Sequence, residues 1–489
     1  MRSIIFVILG IMLSVSILSL SNTPFAATFY EVAILNGRII DPESNLDSVH
    51  NIGINNGIIQ TITTDLIQGK ETIDAKGLIV SPGFIDLHVH LDRKGRDQLN
   101  FSVKAMDGVT TALDLEGGAL DVDKWYEKRE GKAIVNHGVS VSSMEVRKKV
   151  MKDKSETLPK GDAAHRAATE SELKEIRDLI ENGLKRGAIG VGLTIQYTPA
   201  ATQEEILEIF RAAARYNSPC IVHLRYFGLV EPTNSINALQ EVIDATEITG
   251  APLHVCHISS MGLKDTPKLL KMIGEAQSRG LDVTTECYPY TAAATGIQSA
   301  LFDKGWQQMM GIEYNDLEWA ATGERLTEGT FKQYRKKRGL VIAHVMTEEI
   351  VDTAVTHPLT MIVSDSILFP NKKGHPRSSG TFSRVLGQFV REKKKLTWTE
   401  ALRKMTLMPA QRIETRVPMM KNKGRIRTGA DADITIFDPQ RVIDKATFRK
   451  PAEYSEGIKY VLVNGVLVVK NGKLQKGVVP GRPIRASIK

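Results

Sequence analysis

The chain has 489 residues, 42% of them hydrophobic and 25% charged, so it is long enough for one large core and a smaller one. Its formal charge of +8 is mildly basic. No basic stripe interleaved with aromatics occurs, which sets nucleic acid aside as a partner. The densest basic run, Arg391 to Lys395, reads as the solvated end of a helix.

At the N-terminus, Arg2 precedes an apolar run from Ile4 to about Leu20, and small residues follow at Ala26 and Ala27. This layout predicts a signal peptide over residues 1–27 and export to the periplasm or the medium. Left uncleaved, a run of that length would serve as a membrane anchor. The three cysteines, Cys220, Cys256 and Cys287, each lie in an apolar, strand-like stretch. An odd, low number makes no disulfide framework, and buried free thiols are expected.

Residues 28–81 are short strand-like pieces, with Asn-Gly at 36–37 and 56–57 marking hairpins. Residues 82–415 alternate. Apolar strand candidates are FIDLHVH (84–90), VTTALDLE (109–116), VSVSS (139–143), AIGVGL (188–193), CIVHLR (220–225), LHVCHI (253–258), DVTTECYPY (282–290) and MIVSDS (361–366). Helical segments separate most of them. One runs from Thr202 with Glu205 as a capping box and Ile206, Ile209, Phe210 and Ala213 on one face. Another carries Leu173, Ile176, Ile180 and Leu184 and stops at Gly187. Eight such strands predict a (β/α)8 TIM barrel. An open doubly wound sheet would also alternate, but no glycine-rich phosphate fingerprint follows a strand. Residues 416–489 return to short strands and turns, including Asn464-Gly465. Both β-rich ends are too small to stand alone, so they predict one small β-sandwich.

Chemistry in such a barrel sits where the strands end at the C-terminal face. Those ends carry His88 and His90, Glu116, His223, His257 and Asp365. Neutral imidazoles and carboxylates are ligands for zinc and similar divalent cations. Of 11 histidines, four stand at the ends of three strands, which isolated core histidines would not do. Period-two alternation puts Asp86, His88 and His90 on one face of the first strand, and makes Asp114 and Glu116 point the same way on the second. Asp86 and Asp114, one pleat deeper, are read as supporting groups. The same alternation turns Cys256 away if His257 faces inward.

In this order, GFIDLHVH, HLR, HVCHISS and VSDS resemble the amidohydrolase superfamily, whose fold is a (β/α)8 barrel with a β-sandwich from both termini. DVTTECYPYTAA, the stretch from His375 to Ile413 and KGRIRTGADADITIFDP are similar to its N-acyl-D-amino-acid deacylase (D-aminoacylase) branch. The resemblance covers nearly everything after the leader. It implies His88 and His90 as the first-strand metal pair, with His223 and His257 as the later histidines. It implies Asp365 as the catalytic acid/base. D-aminoacylases usually place Cys after the second strand, and other members use a carboxylated lysine on the fourth. Here the fourth strand has no lysine and the second offers Glu116, with Gly117 next to it. Glu116 as the bridge implies two zinc ions, and with Gly117 in that place the site would hold one. Arg377, beside His375, resembles the arginine that holds the substrate carboxylate, as a planar guanidinium suits a carboxylate. Tyr288 resembles a tyrosine at that carboxylate, with Tyr290 its neighbour. Ser259 stands where the family often has lysine, and Arg225 is a candidate replacement for that charge. His344 reads as a packed or supporting histidine.

The resemblance implies a hydrolase of linear amides acting on N-acyl-D-amino acids or dipeptides with a D-residue. A metal-activated hydroxide would attack, with Asp365 as general acid/base. Two other readings stay open: a hydantoinase- or dihydroorotase-like hydrolase of cyclic amides, and a non-catalytic exported barrel that binds peptides.

Overall fold

The computed structural model describes residues 29–91, 97–227, 230–231, 233–369 and 371–489. The expected leader over residues 1–27, with its alternative as an anchor, lies outside the described residues. No helix among the described residues is long and apolar enough to cross a membrane.

The N-terminal strands are β1 (Phe29–Asp41), β2 (Leu46–Asn55), β3 (Ile58–Thr63), β4 (Gln68–Asp74) and β5 (Ile79–Pro82). Asn56-Gly57, both at positive φ, makes the β2–β3 hairpin as expected. Asn36-Gly37 does not make a hairpin. It is a bulge inside β1, where the register with β2 shifts between Ile34 and Gly37. The barrel then begins with β6 (Phe84–Asp86), β7 (Val109–Ala119), β8 (Asn136–Ser142), β9 (Val191–Thr194), β10 (Cys220–His223), β11 (Leu253–Val255) and β12 (Val283–Cys287). Next comes an inserted sheet of β13 (Ala293–Gly296), β14 (Leu317–Trp319), β15 (Glu324–Arg325) and β16 (Leu340–Ala343), which the sequence reading missed. The last barrel strand is β17 (Thr360–Ile362). The chain finishes its sheets with β18 (Ile434–Phe437), β19 (Ile458–Val463), β20 (Val466–Lys470) and β21 (Lys473–Leu474).

The eight strands β6 to β12 and β17 pair in parallel in chain order, each at one of the eight expected places. Beyond their ends the barrel closes through irregular backbone. Ser366 N donates to His88 O at 3.3 Å and His90 N donates to Ser366 O at 3.2 Å. The barrel interior is filled by Ile85, Leu87, Leu113, Leu115, Ile189, Ile221, Met361 and Val363. Ala410, Ile413, Val417, Met420 and Ile484 pack against that layer and plug its base. The C-terminal tail therefore leaves the small domain. Ile484 N donates to His137 O at 2.7 Å, and Ala486 N donates to Gly187 O at 3.1 Å, which ties the tail to the barrel.

The strands of the small domain join in one nine-stranded sheet. β18 pairs with β5, joining both ends of the chain in one ladder around a shared apolar cluster that includes Ile34, Ile52, Val80, Ile434 and Leu462. Helix Gln203–Ala214 is capped by Thr202, but Glu205 completes no capping box. It is buried and pairs with Arg147 instead, because an unpaired buried carboxylate is costly. Helix Glu170–Lys185 does carry a capping box, Thr169 with Glu172, and Gly187 follows at φ 84°. The basic run closes the helical segment ending at Glu392, and Lys393 and Lys395 both reach Asp352. All three cysteines are buried and free.

Lys404, on helix Trp398–Met405, is buried under β17. It donates to the His357 and Thr360 carbonyls and to Thr360 Oγ1 at 3.3 Å. Burial pushes its ammonium down to about 8 from 10.5. The folded chain then binds fewer protons than the unfolded chain between those values, so this group makes stability rise with pH across that window. The gain approaches about 3 kcal/mol. Urea unfolding at each end of the window should show the slope in the wild type and a flatter one in Lys404→Met.

Candidate metal centre and active site

β6 ends at Asp86, and from there the chain leaves strand geometry. This overturns the simple alternation expected for Asp86. Its carboxylate turns to helix Asp97–Met106, 3.1 Å from Lys104 Nζ, and accepts from Ser364 N at 3.0 Å and His88 N at 3.2 Å. Asp86 thus supports the site from behind by tying the first strand to the last. His88 and His90 project into the barrel mouth, with their ring centroids 5.3 Å apart.

β7 is regular up to Asp114, then bulges, and its register with β8 resumes only at Ala119. The bulge aims Glu116 at the mouth. Asp114 supports it by accepting from Leu91 N at 2.8 Å and Gly118 N at 3.2 Å. Gly192 on β9 gives the bulge room, since a Cβ there would collide with the Glu116 carbonyl. Gly117, the neighbouring alternative, packs against His90 and Asp114 and offers no ligand atom.

Glu116 stands between the two pairs of histidines. Its Oε2 lies 3.3 Å from His88 Nε2 and 3.6 Å from His90 Nε2. Its Oε1 lies 2.6 Å from His223 Nδ1 and 3.4 Å from His257 Nε2. Asp365 Oδ1 closes the first half-site, 3.2 Å from His90 Nε2 and 3.5 Å from His88 Nε2. These donors form overlapping clusters able to hold a cation: His88–His90–Glu116, His88–His257–Asp365 and Glu116–His223–His257. The buried His88 Nε2 makes no hydrogen bond. Donor chemistry and this unpartnered nitrogen both fit a divalent metal. Burial alone would raise the Glu116 carboxyl, but His88, His223 and His257 outweigh it and hold the group well below the usual range.

Two residues bend out of regular backbone to face the site. His257 follows β11 at φ 29° and Asp365 follows β17 at φ 47°, a strained region for non-glycine residues. The break at His257 explains why Cys256 does not turn away as alternation predicts. Cys256 packs in the barrel interior, and its Sγ clusters with His88 and Glu286. Burial pushes its thiol up, so it stays neutral.

Arg377 fixes Asp365 twice. Its Nη2 is 2.7 Å from Oδ2, and its Nε donates to the Asp365 carbonyl at 2.7 Å. Burial works against ionisation of Asp365, but Arg377, His88, His90 and His257 hold its carboxyl far below the normal range. The Arg377 guanidinium also lies over the Tyr288 ring at 4.5 Å.

Beside these groups lies a small cavity. Its polar lining is Gln196, Tyr197, His223, His257, Ser260, Tyr288, Thr295, Asp365 and Arg377, and apolar residues of the inserted sheet and its loops form much of the rest. Burial pushes the Tyr288 phenol up, so it stays protonated. Three residues expected at the substrate are elsewhere. Arg225 is spent on Glu241, with its Nη2 2.6 Å from Oε1, and donates to Pro199 O. Ser259 is buried behind its neighbour, and Ser260 takes the place in the lining. His375 accepts from Arg377 N at 3.1 Å and reaches the Ala292 carbonyl at 3.0 Å, so it positions the arginine from behind. Tyr290 is drawn off to Asp444, and His344 pairs with Glu318 at 3.2 Å.

Two contributors escaped the sequence reading. Gln196 bonds His223 Nε2 and leaves Nδ1 for Glu116. Glu286, in β12, lies 2.6 Å from His88 Nδ1. Its signal was a lone carboxylate inside an apolar strand.

The amidohydrolase family matches residues 71–319 and 351–469. The D-aminoacylase of Alcaligenes xylosoxydans xylosoxydans is 28% identical over 484 residues, spanning 90% of this chain and 94% of that protein. The N-acyl-D-glutamate deacylase of the same organism is 28% identical over 441 residues, spanning 81% of this chain and 84% of that protein. The structure of the N-acyl-D-glutamate deacylase from Bordetella bronchiseptica, in complex with zinc and a phosphonate mimic of the tetrahedral intermediate, superposes with a TM-score of 0.79 at 25% identity. It covers 94% of this chain and 100% of that one. The chain belongs to the amidohydrolase family.

Proposed function

We propose that the protein is a metal-dependent amide hydrolase acting on N-acyl-D-amino acids or on dipeptides with a D-residue. The observation that carries this is Glu116, whose two oxygens each face one pair of histidines beside a pinned Asp365. The deacylase relatives supply the substrate class.

His88, His90, His223, His257 and Glu116 would hold one or two divalent ions, with zinc the natural choice for imidazole and carboxylate donors. When bound, such an ion lowers the pKa of a water and polarises the scissile carbonyl. Asp365 Oδ1 faces this place while Oδ2 is tied to Arg377. Oδ1 can therefore take the proton of the attacking water and return it to the leaving nitrogen. The carboxylate of the substrate would meet Arg377 and Tyr288 at the cavity wall. The apolar lining would exclude water and take the side chain or the acyl group. Arg2 followed by the apolar run from Ile4 to about Leu20 supports reading the protein as an exported enzyme.

Purified, zinc-loaded protein should hydrolyse members of an N-acetyl-D-amino-acid panel and lose that activity to a chelator. Absence of turnover on every D-substrate would reject the proposal. Cyclic-amide hydrolysis is the second reading. It is disfavoured because β9, Val191–Thr194, carries no lysine to form a carboxylated bridge, and Glu116 takes that place. A hydantoin assay separates the two.

A further inference from the structure

Beneath the metal centre the barrel interior holds a line of polar groups that the proposed reaction does not use. The surrounding layer is Ile85, Leu87, Leu113, Leu115, Ile221 and Met361. In it, Glu286 Oε1 lies 2.6 Å from His88 Nδ1, and Glu286 Oε2 lies 2.8 Å from His254 Nε2. His254 Nδ1 lies 2.8 Å from Thr284 Oγ1. His88, His254 and Glu286 are each about 1% exposed.

The Glu286 carboxylate fixes one proton on each imidazole of this line. A carboxylate only accepts, so both imidazoles must donate to Glu286. His88 then carries its proton on Nδ1, and His254 carries one on Nε2. His254 Nδ1 faces the Thr284 hydroxyl, which also lies 3.4 Å from the Leu253 carbonyl. The one group without a partner is His88 Nε2, which faces Glu116 and Asp365. Both Glu286 oxygens face imidazole nitrogens, so the carboxylate acts here as a partner of the two rings.

We infer that Glu286, anchored by His254 and Thr284, is a positioning residue that locks His88 in the Nδ1–H tautomer and so presents Nε2 as a metal ligand. The inference rests on reading His88 as a ligand, and it is independent of the substrate. A carboxylate behind a ligating imidazole fixes its ring and raises its basicity, and loss of such a partner typically weakens metal binding roughly 10–100-fold. His254 and Thr284 serve the carboxylate in turn. Without them Glu286 would be a buried charge with one unpaired oxygen, which is costly.

The test is Co²⁺ titration of metal-free wild type and Glu286→Gln against a chromophoric chelator, with circular dichroism to check the fold. Gln keeps the shape and can still accept from His88, but it carries no charge and turns its amide N–H towards His254. We expect Glu286→Gln to bind the ion of the His88 half-site roughly 10–100-fold more weakly, with an altered visible Co²⁺ spectrum. Equal affinity with an unchanged spectrum overturns this inference alone. A wild type that binds no Co²⁺ overturns the metal-centre reading and this inference with it. Should the variant not fold, nitrogen-15 histidine spectra of the metal-free wild type decide. A proton on His88 Nδ1, with or without a second on Nε2, supports the inference, and a His88 ring with Nδ1 bare overturns it.

Discussion

Glu116→Ala is expected to lose at least one metal equivalent per chain and to lower kcat/KM by roughly 10³-fold or more, because several kcal/mol of charge stabilisation depend on the ion. Glu116 approaches His88, His90, His223 and His257 together. Without it, each half-site keeps two imidazoles and only the first keeps a carboxylate, Asp365. The substitution leaves His223 Nδ1 facing a void where an anion stood 2.6 Å away. The bulge that carries the residue would persist, since Gly118, Gly192 and the Asp114 hydrogen bonds hold it independently of the carboxylate. The fold should therefore survive, which metal analysis beside circular dichroism would verify. Unchanged metal content in Glu116→Ala would show that the ions are held elsewhere.

The barrel strands were legible because each is a short apolar run between helices, and such runs carry their own signal. The four clustered histidines were legible because strand order and the position of strand ends place them on one rim. Side-chain direction at those ends was not legible. Alternation holds only inside a ladder, and β6 and β11 stop before His88 and His257. There the positive φ of His257 and the closing bonds around Ser366 decide where side chains point. Asp86 and Cys256 were misdirected for this reason. Salt-bridge choice was equally hidden. Arg225 finds Glu241 on the following helix, and Glu205 finds Arg147 from an earlier one, so neither partner is set by local sequence. The inserted sheet pairs β13 with β16 across more than forty residues, and nothing local marks that pairing. Gln196 and Glu286 act only through a histidine, so they became visible once the histidines were placed.

Asp365→Asn is expected to keep its metal and lose roughly 10²–10⁴-fold in kcat, the usual worth of a positioned general acid/base. KM should change little by comparison. Asn is a favourable test because it tolerates the left-handed backbone that Asp365 adopts at φ 47°. Arg377 Nε would still hold the backbone carbonyl at this position, so the side chain should stay in place. What the amide cannot do is carry a proton from the attacking water to the leaving nitrogen. The loss should therefore depend on the leaving group. An amide nitrogen must be protonated to depart, whereas a phenyl ester of the same acyl group leaves without that help. The penalty in Asp365→Asn should be smallest for such an ester and largest for the amide. The wild type adds a second check. Arg377 and the histidines hold Asp365 far below the usual carboxylate range, so the acid limb of kcat/KM should not fall at the pH where ordinary carboxylates titrate. Equal penalties for ester and amide would remove Asp365 from the proton transfer and leave it a role in holding the centre.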